Sequence, residues 1–175
     1  SWAICSIALL RKNACIFIPE YYCDEAIFLL RKIKVKIIFY KINEDNSFDI
    51  IDIKKKAKLY KPDIILFCNF FGINHFKSYL YDLKKTYNSI IIEDSTHCLI
   101  PNYNIGNKGD YIIYSPYKIV PIPTGSIMVG KQNVDRSSIN EDNFFINKIL
   151  NSGINVPNKQ TNIFQIFKWT IKQLF

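Results

Sequence analysis

Between residues 15 and 114 the chain alternates short unbroken apolar runs with longer stretches whose apolar residues recur every three or four positions. Unbroken runs of four to six residues fit strands buried on both faces, and the longer periodic stretches fit helices with one apolar stripe. The pattern predicts strands over 15–19, 35–40, 64–68, 90–94 and 111–114 and helices over 22–32, 50–60 and 76–86. A further helix over 1–12 presents Ala3, Ile4, Ile7 and Ala8 on one face, and a strand follows over 125–129. Polar turns separate these elements, such as the one over 43–49, and proline closes the first strand at Pro19. Strand and helix in regular alternation imply an α/β fold, a mainly parallel sheet flanked by helices in three layers.

After Lys131 the composition turns polar, through Asp135, Ser137, Ser138, Glu141 and Asp142. Periodic apolar positions return over 144–150 and 163–175, where Phe164, Phe167 and Ile171 share a face. Residues 1–130 therefore read as one domain core, and 131–175 as a linker and helices leading towards a further domain.

Composition narrows the function classes. With 49% hydrophobic residues in 175, the chain can bury a full core. The formal charge of +8 is spread over several segments. The densest group, Lys54, Lys55, Lys56 and Lys58, fits the solvated face of a helix, and no aromatic interleaving or RNA motif accompanies it. The abundance of Ile, Lys, Asn and Tyr is the bias of an AT-rich coding sequence, so no nucleic-acid partner is expected. Five scattered cysteines, with no CxxC or His-linked spacing, predict reduced thiols, a cytoplasmic setting and no metal site. No window approaches the roughly 18 apolar residues of a membrane span, so no membrane partner is expected. Ser1–Leu10 lacks the basic flank and cleavage site of a signal peptide.

The candidate chemistry sits at two strand ends. The run Ile90-Ile91-Ile92 stops at Glu93-Asp94, with His97 close behind, and the strand over 111–114 stops at Ser115-Pro116-Tyr117-Lys118. Open α/β sheets bind ligands at the carboxyl ends of their strands. A lysine in a partly desolvated site can attack a carbonyl. A carboxylate opposite a pyridine nitrogen keeps that nitrogen protonated, and a serine hydroxyl suits a phosphate. Taken singly, a strand-end Asp is often a cap and a lone Lys is usually solvated; their order and context join them into the parts of a pyridoxal 5'-phosphate (PLP) site.

These segments carry a resemblance. Glu93-Asp94-Ser95-Thr96-His97-Cys98 resembles the E-D-x-x-H/Q segment of the DegT/DnrJ/StrS sugar-nucleotide aminotransferases, PLP enzymes of fold type I. Gly109-Asp110, a strand, Ser115-x-x-Lys118 and Gly125 resemble the same family's lysine segment, although many relatives place four residues between that Ser and Lys. The resemblance covers roughly residues 1–130. It implies the large domain of a PLP-dependent transferase, truncated at both ends. Asp94 would pair with the pyridine nitrogen, Lys118 would bind the cofactor's aldehyde carbon, Ser115 would touch the phosphate and His97 would lie near the ring's phenolic oxygen. The helix start at Ser1 and Trp2 would help to cradle the phosphate. By the same resemblance Cys23 would occupy a position that supplies a stacking aromatic in relatives, with Tyr21 and Tyr22 beside it. His75 is expected at the surface or as a cap.

The implied reaction is amino transfer from a donor to a keto sugar nucleotide, both small molecules, in surface-polysaccharide or amino-sugar biosynthesis. The full-length enzyme is expected to be a homodimer. The alternative is a catalytically inactive, truncated relative that serves as a binding or assembly module.

Overall fold

The computed structural model describes residues 2–98, 104–121 and 126–130; the side chain of Trp2 and the predicted helices beyond Lys131 lie outside them. The elements run α1 (Trp2–Ala8), β1 (Cys15–Pro19), α2 (Asp24–Lys32), β2 (Lys36–Tyr40), α3 (Ile50–Tyr60), β3 (Ile64–Cys68), α4 (Tyr79–Tyr87), β4 (Ile90–Asp94), β5 (Tyr111–Tyr114) and β6 (Ile127–Gly130). Among the described residues they build a six-stranded sheet of order β2-β1-β3-β4-β5-β6. All neighbouring pairs are parallel except β5 and β6, which are antiparallel.

Every residue of β1 and β3 is buried, which explains why these strands read as unbroken apolar runs. Successive side chains point to opposite faces. Ile16, Ile18, Ile64, Leu66 and Ile92 therefore pack with α1 and α2 on one side. Phe17, Ile65, Phe67 and Ile91 pack with α3 and α4 on the other. Three layers result, as the alternation predicts. Full burial of each large side chain stabilises the fold by roughly 1.5–3 kcal/mol relative to exposure.

Local chemistry sets the element ends. Asp49 caps α3 by accepting from the Ile51 and Asp52 amides, and Lys61 closes it in the left-handed region at φ 47°. On the same helix Lys56 pairs with Asp52 at 2.7 Å, while Lys54, Lys55 and Lys58 are exposed. α2 carries Asp24 and Glu25 in its first turn and Arg31 and Lys32 in its last, complementing its dipole. Two helices are shorter than their apolar stripes. α1 ends at Ala8, and the chain turns through Asn13 at φ 56° before β1. α4 starts at Tyr79 because Asn74 Oδ1 accepts from the Phe76 amide and holds 74–76 in a turn.

His75 is a correction. It is buried at 6% exposure, with its ring 6.2 Å from that of Phe48 and 5.9 Å from that of Phe70. Its amide donates to the buried Asn69 Oδ1 at 3.3 Å, which draws the ring inward.

The chain leaves β1 towards β2 on one side and returns to place β3 on the other. The two connections diverge between β1 and β3, and crevices at such reversals are where open α/β sheets bind ligands.

Candidate cofactor site

A cavity of about 250 Å³ opens at the carboxyl ends of the strands. Tyr21, Tyr22 and Cys23 reach it from the turn after β1, Cys68 and Phe70 from the end of β3, Asp94, Thr96 and His97 from the end of β4, and Lys118 from the turn after β5. Four strand ends thus converge on one space. Of the residues singled out from sequence, Asp94, His97 and Lys118 meet there, with Tyr21, Tyr22 and Cys23. Ser115 is buried at the end of β5 and is not among the described lining residues. Ser1 and the Trp2 side chain, expected at the phosphate, lie outside the described residues.

Asp94 is 5% exposed. Its Oδ1 accepts from the Thr96 amide at 2.9 Å and its Oδ2 from the Tyr22 hydroxyl at 2.5 Å. These two donors satisfy both oxygens of the buried side chain. Lys118 stands in a short 3-10 turn, Pro116–Lys118, that Ser115 and Pro116 open. Its Nζ donates to Thr96 Oγ1 at 3.3 Å, so the ammonium sits beside the segment that carries the acid. Burial pushes the Cys68 thiol up, and the neighbouring Asp94 carboxylate pushes it further. Cys68 is therefore a neutral part of the wall.

His97 accepts from the Phe71 amide at Nδ1, 3.1 Å away. In the neutral ring this leaves the proton on Nε2, a donor. Burial lowers its pKa below the ordinary histidine value, the nearby Lys118 lowers it further, and Asp94 acts in the opposite sense. The loop that offers the amide is bent to do so: Phe71 lies at φ 55° and Gly72 at φ 74°. A positive φ is uncommon for a bulky residue and is found where the surroundings hold the backbone in place.

Glu93, the other half of the acid pair, does not line the cavity. It is fully buried and accepts from Asn69 Nδ2 and the Gly106 amide at Oε1, and from the Lys108 and Gly109 amides at Oε2. The Ser95 hydroxyl lies 3.4 Å from Oε1. Glu93 staples the loop before β5 to β4. Three of its donors are backbone amides, which leave no trace in a side-chain pattern. Thr96 and Tyr22 likewise went unassigned from sequence. The only hint was their place beside Asp94 and in the turn after β1.

The donor set suits a flat, cationic heteroaromatic ring that carries an aldehyde. A buried carboxylate can hold a ring N–H, an amine lies within the same cavity to meet the aldehyde, and Tyr21, Tyr22 and Phe70 provide aromatic walls. The described residues therefore fit PLP at its ring and aldehyde.

No family model matches the sequence, and no curated protein matches it. Solved structures do resemble its fold. A DegT DnrJ EryC1 StrS aminotransferase from Brucella abortus superposes with a TM-score of 0.61 at 11% identity, over 78% of this chain and 40% of that one. The PLP-bound C-S lyase from Staphylococcus hominis gives 0.58 at 17% identity, over 81% and 42%. DesI, solved in the presence of its TDP-sugar product, gives 0.59 at 13% identity, over 75% and 35%. The chain has the fold of the PLP-dependent transferase large domain, and it spans less than half the length of these neighbours.

Proposed function

We propose that this chain is the cofactor-binding core of a PLP-dependent aminotransferase acting on a keto sugar nucleotide. The observation that carries the proposal is the convergence of Asp94 and Lys118, from neighbouring strand ends, on one cavity at the sheet's reversal point. The fold alone could not carry it, because an aminotransferase and a C-S lyase both share it. The sugar-nucleotide substrate rests on the Glu93-to-Cys98 and Ser115-to-Lys118 segments and on the likeness to DesI.

When bound, PLP would supply an electron sink for a carbanion next to nitrogen. The chain's own residues divide the remaining work. Asp94 holds the proton of the ring nitrogen. Lys118 would hold the aldehyde carbon and, when free, its Nζ would carry the proton to or from the substrate carbon that bears the nitrogen. The Thr96 hydroxyl, already in contact with Nζ, orients the lysine. His97, with Nδ1 engaged by the Phe71 amide, would offer its Nε2 proton to the ring's phenolic oxygen. Ser115 would touch the phosphate. The full enzyme would be a homodimer whose second subunit completes the site. The alternative is an inactive module that keeps the fold.

Titrating the purified chain with PLP tests the proposal. The parent develops a new absorption band and Lys118→Ala does not, although it folds normally. An equal band in both proteins would remove Lys118 from the role. No band in either would leave the inactive module as the reading.

A further inference from the structure

The Asp94 carboxylate has a donor on each oxygen before any ligand arrives. Thr96 supplies its own amide to Oδ1 from two residues away, a local turn that any ligand can leave intact. The donor on Oδ2 is of another kind. The Tyr22 hydroxyl reaches it from the turn after β1, across 72 positions of sequence. Tyr22 and Asp94 both line the cavity, so this bond lies in its wall. Burial and the adjacent carboxylate push the Tyr22 phenol well up, so it remains a proton donor throughout the physiological range.

We infer that Tyr22 is a gate on the cofactor site: its hydroxyl occupies the place on Asp94 Oδ2 that a protonated ring nitrogen takes, and it must swing away for that ring to dock. The inference rests on the PLP reading above. The exchange balances. One O–H donor leaves Oδ2, one N–H donor arrives, and no proton changes its owner. Entry therefore costs the chain a charge-assisted hydrogen bond, which is roughly twice as strong as a neutral one. In return the empty site keeps a buried carboxylate satisfied, which is otherwise expensive. Tyr22 is half-buried and packs against both hydrophobic clusters, but the chain around it is open. It heads the turn before α2, whose first residues Asp24 and Glu25 are exposed, and its neighbour Tyr21 is 61% exposed.

Removing the hydroxyl tests the gate. PLP dissociation constants are measured by absorbance for the parent and for Tyr22→Phe, and the modified lysine is mapped after borohydride reduction. The gate predicts a dissociation constant about tenfold lower in Tyr22→Phe. It also predicts that this gain disappears when Asp94→Asn is present in both proteins, because the neutral amide no longer selects a cationic donor. If Tyr22→Phe lacks a cooperative unfolding transition, Tyr22→Leu repeats the measurement. A Lys118 adduct in both proteins with equal constants, or weaker binding in the variant, overturns the gate and leaves the PLP reading standing. No Lys118 adduct in either overturns both.

Discussion

Glu93 and Asp94 are the same chemical group on adjacent residues at the end of one strand, and the fold uses them in opposite ways. Glu93 meets a side-chain amide and three backbone amides, from Asn69 and from the loop before β5. Asp94 meets one local amide and one tyrosine on a turn, and it faces a cavity. Strand geometry causes the division, because consecutive side chains leave a strand on opposite faces. One carboxylate points to the side where a loop can be stapled and the other to the side where the strands diverge. A buried acid surrounded by backbone donors serves the scaffold. A buried acid that faces a cavity and shares an oxygen with one tyrosine is the one proposed to meet the ligand.

Stability measurements should separate the pair. Glu93→Ala strands several buried donors at once and should cost on the order of 4 kcal/mol in denaturant unfolding. If it cost no more than a surface substitution, the staple would be wrong. Gly109→Ala probes the same staple from its other side. A Cβ there would stand 2.5 Å from the Tyr111 carbonyl oxygen and 2.8 Å from Glu93 Cβ. The expected loss is about 2 kcal/mol, from the backbone shift needed to relieve the clash. Asp94→Asn should cost only about 1 kcal/mol, because the amide oxygen can still accept from Tyr22 or Thr96. Its effect should appear instead in PLP-dependent exchange of an amino acid's α-proton, which should slow markedly. A variant that exchanges as fast as the parent would end the pairing of Asp94 with the ring.

The smallest effect concerns pH. Burial holds His75 below the ordinary histidine value of 6.5. The unfolded chain therefore binds a proton there before the folded chain does. Stability from this group is fully present above the unfolded value and is lost as the pH falls through the folded one. Between about pH 7.5 and about pH 5, the melting temperature of the parent should fall further than that of His75→Phe. Equal slopes would mean that His75 takes up its proton without penalty.

Much of the scaffold was legible in the sequence because burial on two faces leaves a plain record. The strands over 15–19, 64–68, 90–94 and 111–114 and helix 50–60 sit where the apolar runs and the Asp49 cap put them. The antiparallel β6 follows as expected, beginning at Ile127. That Asp94 and Lys118 face one cavity was legible because one ends an apolar run and the other follows the next run by a short turn. Tyr22 was not, since nothing local distinguishes a tyrosine that bonds a carboxylate 72 residues away from its exposed neighbour Tyr21. Glu93 was read as half of a motif, and its service to the loop at Gly106, Lys108 and Gly109 lies in backbone amides. His75 was misplaced because its own side chain is not what buries it; Asn69, six residues earlier, draws its amide inward.

The central claim is that strand ends β4 and β5 deliver an acid and an amine to one cofactor. It is tested most directly by incubating the purified chain with PLP, reducing with borohydride and mapping the modified lysines by mass spectrometry. The account predicts one dominant adduct, on Lys118, among the lysines of the chain. Adducts scattered over exposed lysines such as Lys54, Lys55 and Lys58, with none favoured, would contradict it.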